Sequence, residues 1–342
     1  MVQPSVTLVI PVWNEIRTIR GCMESVLIQD YTHILEILIA DGESEDGTRL
    51  VLEEYAQRYP QIKILNNQER VQTAGLNLCL RVARGDVIIR LDAHATYAPD
   101  YVRQCVIALE KSEAACVGGG VNIVKGKGYW PTLFGLVQEH PLGTGVAHFR
   151  RSSYEGYVDT VWPGAYRREV FEKVGLFREH LNRTEDLDFH ARLRQSGFRI
   201  WQTPLILPYY LPRSTRKELA QQYFGNGEQV IETFLINRRA IAWRHLIPFL
   251  WITSLAILVV LAIFMFPMRI LLSIYLGIYL LACLGASCAI GLKNGIRYLW
   301  LAPFVFILIH ISYGAGSYWG IFRFLTYGQR DWIRDYLSIP RL

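Results

Sequence analysis

Two stretches of 21 residues, Leu246 to Phe266 and Ile270 to Ile290, contain no Asp, Glu, Lys, Arg or His. At about 1.5 Å rise per residue, each spans a hydrocarbon layer roughly 30 Å thick. A helix that is apolar on every side has no polar stripe to turn toward water, so both read as membrane helices. A third run, Leu299 to Ile321, carries His310 as its one ionisable residue and is broken up by Gly314, Gly316 and Gly320. It is a third candidate span.

Charge divides at the same place. Up to Ala240 the chain has 28 Lys and Arg against 28 Asp and Glu; beyond it eight basic residues stand against two acids, so the whole net charge of +6 belongs to the membrane part. Basic residues beside apolar spans meet anionic headgroups and follow the positive-inside bias. The first 240 residues hold no basic cluster, so nucleic acid is not an expected partner. The cysteines, at 22, 79, 105, 116, 283 and 288, form no CxxC pair or zinc spacing and read as buried, reduced thiols. The opening MVQPSVTLVIPV has no basic region ahead of its apolar run, so it reads as a strand and not an export signal, which keeps the first 240 residues in the cytosol. Three crossings would then leave Arg323, Arg330, Arg334 and Arg341 outside. Either the glycine-rich third segment is re-entrant or interfacial, or the tail is an exception to the charge rule.

Within the first part, apolar runs without strict alternation (SVTLVIPV, LEILIAD, IKILNN, DVIIRLDA) are separated by segments of helical spacing. That pattern predicts an α/β fold, a doubly wound parallel sheet covered on both faces. Ligands in such sheets bind at the carboxyl ends of the strands. Those ends carry Pro11 to Glu15, Ala40 to Thr48 and Asp92 to His94. No GxGxxG follows the first strand and no GxxxxGK[ST] occurs, so a diphosphate here would be met by a metal instead of a glycine-rich helix start. Asp92 and His94, two residues apart at a strand end, would point the same way and reach one ion; an imidazole suits manganese somewhat better than magnesium.

The segments TLVIPVWNE, ILIADGESEDGT, AGLNLCLRVARGDVIIRLDAHA, VWPGAYRREVFEKVGLF and NRTEDLDFHARLRQSG occur in this order from about residue 5 to 230. Together they resemble the inverting glycosyltransferases of family 2 with the GT-A fold, and within them the succinoglycan-type bacterial exopolysaccharide glucosyltransferases with an RxDAHA stretch. The resemblance implies a GT-A catalytic domain at 1–215, an amphipathic interfacial linker at 216–245, a membrane domain at 246–322 and a basic tail at 323–342. It implies that Pro11, Glu15, Asp41 and Asp92 hold the nucleotide-sugar with Arg70 and Arg192, that Asp92 and His94 hold Mn2+ or Mg2+, and that Asp186 of the Glu-Asp pair is the general base. Trp162, Gly164, Ala165 and Glu185 would line the sugar pocket, with Trp162 and Tyr166 as stacking faces.

The run EDLD, Glu185 to Asp188, also reads as an acidic first helical turn placed for the helix dipole. The QxxRW-like motif of processive synthases is absent from Gln221 to Gln229, which argues for single transfers. The implied partners are a UDP-sugar, a polyprenyl-diphosphate-linked sugar acceptor, anionic lipids and other exopolysaccharide assembly proteins, at the cytosolic face of a bacterial inner membrane. Two rivals remain: transfer directly to polyprenyl phosphate, and a non-catalytic assembly subunit with a relic nucleotide fold.

Overall fold

The computed structural model describes residues 3–124, 126, 128–145 and 153–327. The tail arginines Arg330, Arg334 and Arg341 lie outside these residues. In chain order the strands and α-helices up to Gly118 are β1 (Val6–Val12), α1 (Ile19–Leu27), β2 (Ile34–Asp41), α2 (Thr48–Arg58), β3 (Ile62–Asn66), α3 (Gln72–Val82), β4 (Val87–Arg90), β5 (Ala95–Tyr97), α4 (Tyr101–Ser112) and β6 (Cys116–Gly118). Then come β7 (Asn122–Ile123), α5 (Tyr129–Glu139), α6 (Pro141–Thr144), β8 (Gly156–Tyr157), β9 (Ala165–Arg167), α7 (Glu169–Val174), α8 (Glu185–Gln195), β10 (Ile200–Gln202) and β11 (Pro208–Tyr210). The last helices are α9 (Arg216–Ile236), α10 (Ile247–Phe264), α11 (Phe266–Asn294) and α12 (Ala302–Tyr327).

The chain forms two compact units, and the division does not follow a single cut at residue 215. One unit takes the chain up to Asn122 together with a later segment ending at Tyr210; the other takes Ile123 and the residues after it, then the chain from Leu211.

The first unit is built on a sheet of order β3-β2-β1-β4-β9-β6-β10-β8. β1 pairs in parallel with β2 on one side and β4 on the other. Val6, Leu8, Ile10 and Val12 enter one buried cluster with Cys22, Met23 and Tyr101, while Val9 enters the other with Leu76, Cys79 and Phe189. Both faces of β1 are therefore covered, which is why its sequence is a continuous apolar run. The far half of the sheet departs from the all-parallel expectation: β9 runs antiparallel to both β4 and β6. It is three residues long, too short to show a period of its own.

In the second unit α5 packs on the apolar helices: Leu133, Phe134 and Val137 share a core with Cys283, Ala286, Ile290, Val305, Phe306 and Ile309. The three expected apolar segments are all helices, each long and apolar enough to cross a membrane. The second runs on past Ile290 to Asn294.

Gly119, just after β6, marks a close backbone approach: a Cβ there would lie 1.8 Å from the Ile206 carbonyl oxygen. Gly119→Ala must push two backbone segments apart, an overpacking strain of about 1–3 kcal/mol. The expected result is a lower unfolding temperature by calorimetry or circular dichroism, whereas an unchanged value would show that the segments separate freely.

Candidate active site

β2 and β3 lie on one side of β1 and β4 on the other, so the topological switch point falls between β1 and β4, where α/β sheets open a crevice. The chemistry of one residue holds it open. Leu91 N donates to Val9 O at 2.8 Å, so odd-numbered residues of β1 face β4. The next donor on that flank would be residue 11, and Pro11 has no N–H. The β1–β4 pairing ends at Val9 and Arg90, as a proline in an interior strand requires.

The loops after β1 and β2 are stitched together on this edge. Asn14 N donates to Ser44 Oγ at 2.9 Å, Glu45 N to Asn14 Oδ1 at 2.9 Å, Glu15 N to Thr48 Oγ1 at 2.9 Å and Ile16 N to Asp46 Oδ2 at 3.1 Å. Trp13, beside them, keeps its ring half exposed. Asp41 is buried at the end of β2 with Arg49 Nη1 3.4 Å from its Oδ2. Arg70 sits on the rim, exposed, its guanidinium forked onto Glu43 at 3.0 and 2.7 Å.

At the centre of the crevice is Arg90, the last residue of β4, which is buried among three carboxylates. Its Nε lies 3.3 Å from Asp92 Oδ1, its Nη2 2.9 Å from Glu185 Oε1 and its Nη1 2.5 Å from Asp186 Oδ1. Its backbone N donates to Gly164 O at 3.0 Å. Sequence reasoning gave this residue no role, although a signal existed: a charged side chain in an interior strand is rare unless paired. One guanidinium thus joins the end of β4 to the first turn of α8.

Glu185, Asp186 and Asp188 all lie in that first turn, where the helix dipole favours them. Burial pushes the Asp186 carboxyl up to about 7; Arg90 pulls it down, and Glu185 and Asp92 push it up again. Its side chain keeps 15 % exposure, the most of the three carboxylates around Arg90. Asp92 behaves oppositely. Burial acts to raise it, but Arg90, His94 and the hydrogen bond from Trp162 Nε1, 2.8 Å to Oδ2, outweigh that and hold it below the usual carboxylate range.

Asp92 and His94 do not stand on a strand. β4 stops at Arg90, Ala93 and His94 form a turn, and Ala95 N closes it on Asp92 O at 3.1 Å. The expected strand-end geometry is corrected, but the two stay neighbours, and His94 Nδ1 lies 3.3 Å from Glu15 Oε1. No group of three or more His, Cys, Asp and Glu suited to a metal occurs among the described residues. Hard cations that bind substrate phosphates take only one or two protein ligands and draw the rest from phosphate and water. A carboxylate whose oxygens each keep a second lone pair, with an imidazole beside it, fits a cation shared with a diphosphate.

Three expectations fail for the same reason, commitment to the core. Arg192 does not face a ligand: its Nε lies 2.9 Å from Asp188 Oδ2, and its Nη1 and Nη2 donate to the carbonyls of Val174 and Leu176 at 3.0 and 2.8 Å. Ala165 is fully buried in β9, paired with Ile89 and Val117. Tyr166 is buried against Phe171 and Phe189, its hydroxyl 2.9 Å from His190 Nε2, so it offers no stacking face. Gly164 is needed by this packing, since a Cβ there would lie 2.3 Å from the Tyr166 hydroxyl. Trp162 is half-buried, edge-on to Tyr210, with its Nε1 on Asp92, while Glu185 is buried against Arg90.

Comparison with known proteins gives the fold and the kind of protein this chain is similar to. The model of the glycosyl transferase family 2 domain matches residues 7–175. The succinoglycan biosynthesis protein ExoA of Rhizobium meliloti is 29% identical over 311 residues, covering 90% of this chain and 92% of that protein. A dolichyl N-acetyl-alpha-D-glucosaminyl phosphate 3-beta-D-2,3-diacetamido-2,3-dideoxy-beta-D-glucuronosyltransferase of Methanococcus voltae is 27% identical over 321 residues, covering 90% and 95%. Among solved structures, the mannosyltransferase PcManGT of Pyrobaculum calidifontis, in complex with GDP-Man and Mn2+, has the same fold, with a TM-score of 0.60 at 20% identity over 92% of this chain and 88% of that one.

Arg90→Met removes the one cation that three buried carboxylates share. Loss of one partner from a buried ionic cluster costs about 3–5 kcal/mol, measurable by thermal or denaturant unfolding. Adding Glu185→Gln removes a freed charge and recovers part of the loss; if it recovers none, the cluster is not held by charge.

Proposed function

We propose that this chain, whose residues 7–175 match the glycosyl transferase family 2 domain, is an inverting enzyme that moves one sugar at a time, glucose, from a UDP-sugar to a lipid-linked acceptor. The observation that carries this reading is the arrangement of Asp186 and Asp92 on the two sides of Arg90. A single displacement with inversion needs a base on the face of the sugar opposite the departing diphosphate. Asp186, titrating near 7, is a base matched to neutral pH. Arg90 fixes its carboxylate by one oxygen.

On the donor side, Pro11, Glu15, Asp41 and Arg70 line the nucleotide edge, and Trp13 offers an exposed aromatic face to a nucleobase. Trp162 and Glu185 border the sugar. Asp92 and His94 would hold a divalent cation, which when bound would neutralise charge developing on the leaving diphosphate. PcManGT was solved in complex with GDP-Man and Mn2+. The likeness to ExoA, a succinoglycan biosynthesis protein, supports an exopolysaccharide or related surface glycan as the product. The acceptor, a polyprenyl-diphosphate sugar, presents its hydroxyl at the headgroup level, and a catalytic domain tethered there meets it at high effective concentration. We place the enzyme on the cytosolic side of a bacterial inner membrane.

The test uses purified membranes, a panel of radiolabelled UDP-sugars and lipid extraction. Asp186→Asn should lower transfer by at least 100-fold, in the range that acid–base catalysis contributes; a variant as fast as the parent removes Asp186 from the role. A base must be deprotonated to act, so kcat/KM of the parent should hold above pH 7 and fall about tenfold per unit below it. After chelation, Mn2+ should restore activity at least as well as Mg2+. Should His94→Ala leave both rate and metal dependence unchanged, the histidine is structural.

A further inference from the structure

His94 stands in a turn, outside any strand, yet two neighbours fix its ring. Ala95 N closes the turn on Asp92 O at 3.1 Å, and β5 begins at once, with Ala95 paired to Tyr210 of β11. That pairing brings the Tyr210 ring beside His94, the centroids 6.0 Å apart and the planes at 80°. Glu15 supplies the second contact: its Oε1 lies 3.3 Å from His94 Nδ1, and both side chains are partly exposed. Among the described residues the imidazole has no other hydrogen bond or ion pair, which leaves Nε2 bare of protein partners.

Glu15 is itself held in place at several points. Its N donates to Thr48 Oγ1 at 2.9 Å, and its carbonyl accepts from Thr18 N and Ile19 N at 3.0 and 2.8 Å where α1 begins. Thr18 Oγ1 donates to its Oε2 at 2.8 Å. The backbone and one carboxylate oxygen are thus committed to the start of α1, and Oε1 is the oxygen that stands at the histidine. A neutral imidazole carries one N–H and one bare nitrogen, and the bond made by one ring nitrogen decides the state of the other. A carboxylate at Nδ1 draws the proton there and leaves the lone pair on Nε2. Metal-binding histidines are commonly oriented in this way, by a carboxylate on the nitrogen that does not touch the ion.

From this geometry we infer that Glu15 is a positioning residue for the cation site: it takes the Nδ1–H of His94 and so offers the Nε2 lone pair to a divalent cation shared with Asp92 and a nucleoside diphosphate. Its carboxylate acts through the imidazole and does not touch the ion. The loop after β1 then has two tasks, since the segment that borders the nucleotide also sets the tautomer of a histidine some eighty residues later in the chain. Tyr210 limits the tilt of the same ring from β11.

This role rests on the reading of Asp92 and His94 as the cation pair, and two measurements separate them. The full chain, isotope-labelled at the histidine ring nitrogens and purified in detergent, is observed by nitrogen NMR above neutral pH, with His94→Ala identifying the signal. Mn2+ affinity in the presence of UDP is measured by electron paramagnetic resonance for the parent, Glu15→Ala and Glu15→Gln, and again on a His94→Ala background. In the parent the His94 proton is expected on Nδ1. Glu15→Ala should move it toward Nε2 and weaken Mn2+ binding by about 10- to 100-fold, and should add no loss where His94 is already replaced. Glu15→Gln, whose amide oxygen also accepts, should stay within a few-fold of the parent. A proton on Nε2 in the parent, or one that Glu15→Ala does not move, overturns the role of Glu15 and leaves the cation pair standing. An equal loss of Mn2+ affinity with and without His94 does the same, because Glu15 then acts on the nucleotide. If His94→Ala by itself leaves Mn2+ affinity unchanged, the cation pair is wrong and the role of Glu15 falls with it.

Discussion

A buried guanidinium shared by three carboxylates governs the catalytic half of this molecule. Arg90 ends an interior strand, Asp92 follows it two residues later, and Glu185 and Asp186 open α8 almost a hundred residues on. Charges out of water are stable only when matched by close partners, so the end of β4 and the start of α8 must sit where the fork can reach both. The same charge acts on chemistry. It helps keep Asp92 ionised and opposes the burial that would otherwise carry Asp186 further from neutrality. Position and protonation of the two carboxylates thus depend on one side chain.

How much of this was legible in the sequence follows from how local each signal is. β1, β2 and β4 announce themselves because both faces are covered and their runs are mostly apolar. The membrane helices do so by length and composition. β9 does not, since three residues in a sheet owe their place to partners distant in the chain. Arg192, Ala165 and Tyr166 share motifs with crevice residues, and nothing in a motif separates a side chain aimed at solvent from one aimed at the core. Arg192 is four residues past Asp188, one helical turn, and that spacing alone predicts the ion pair that takes it out of the crevice. Arg90 was readable as a burial problem: an arginine in an apolar strand needs an acid, and Asp92 stood two residues away.

The membrane half obeys a different accounting. Apolar length says that a helix is able to cross; its small residues say what packs on it. α12 passes the first criterion, yet its Gly316 and Gly320 admit the backbone of α9, a helix rich in Glu and Gln. Small residues in an apolar helix therefore carry information about which helix lies against it.

Pro11 returns the matter to a single covalent bond. Every other residue at that position would supply an amide hydrogen aimed at the carbonyl of Leu91, and one more rung would draw the ends of β1 and β4 together. The ring nitrogen denies the sheet that rung. The crevice thus opens where a missing hydrogen ends the ladder and the chain after β4 turns away at Ala93 and His94.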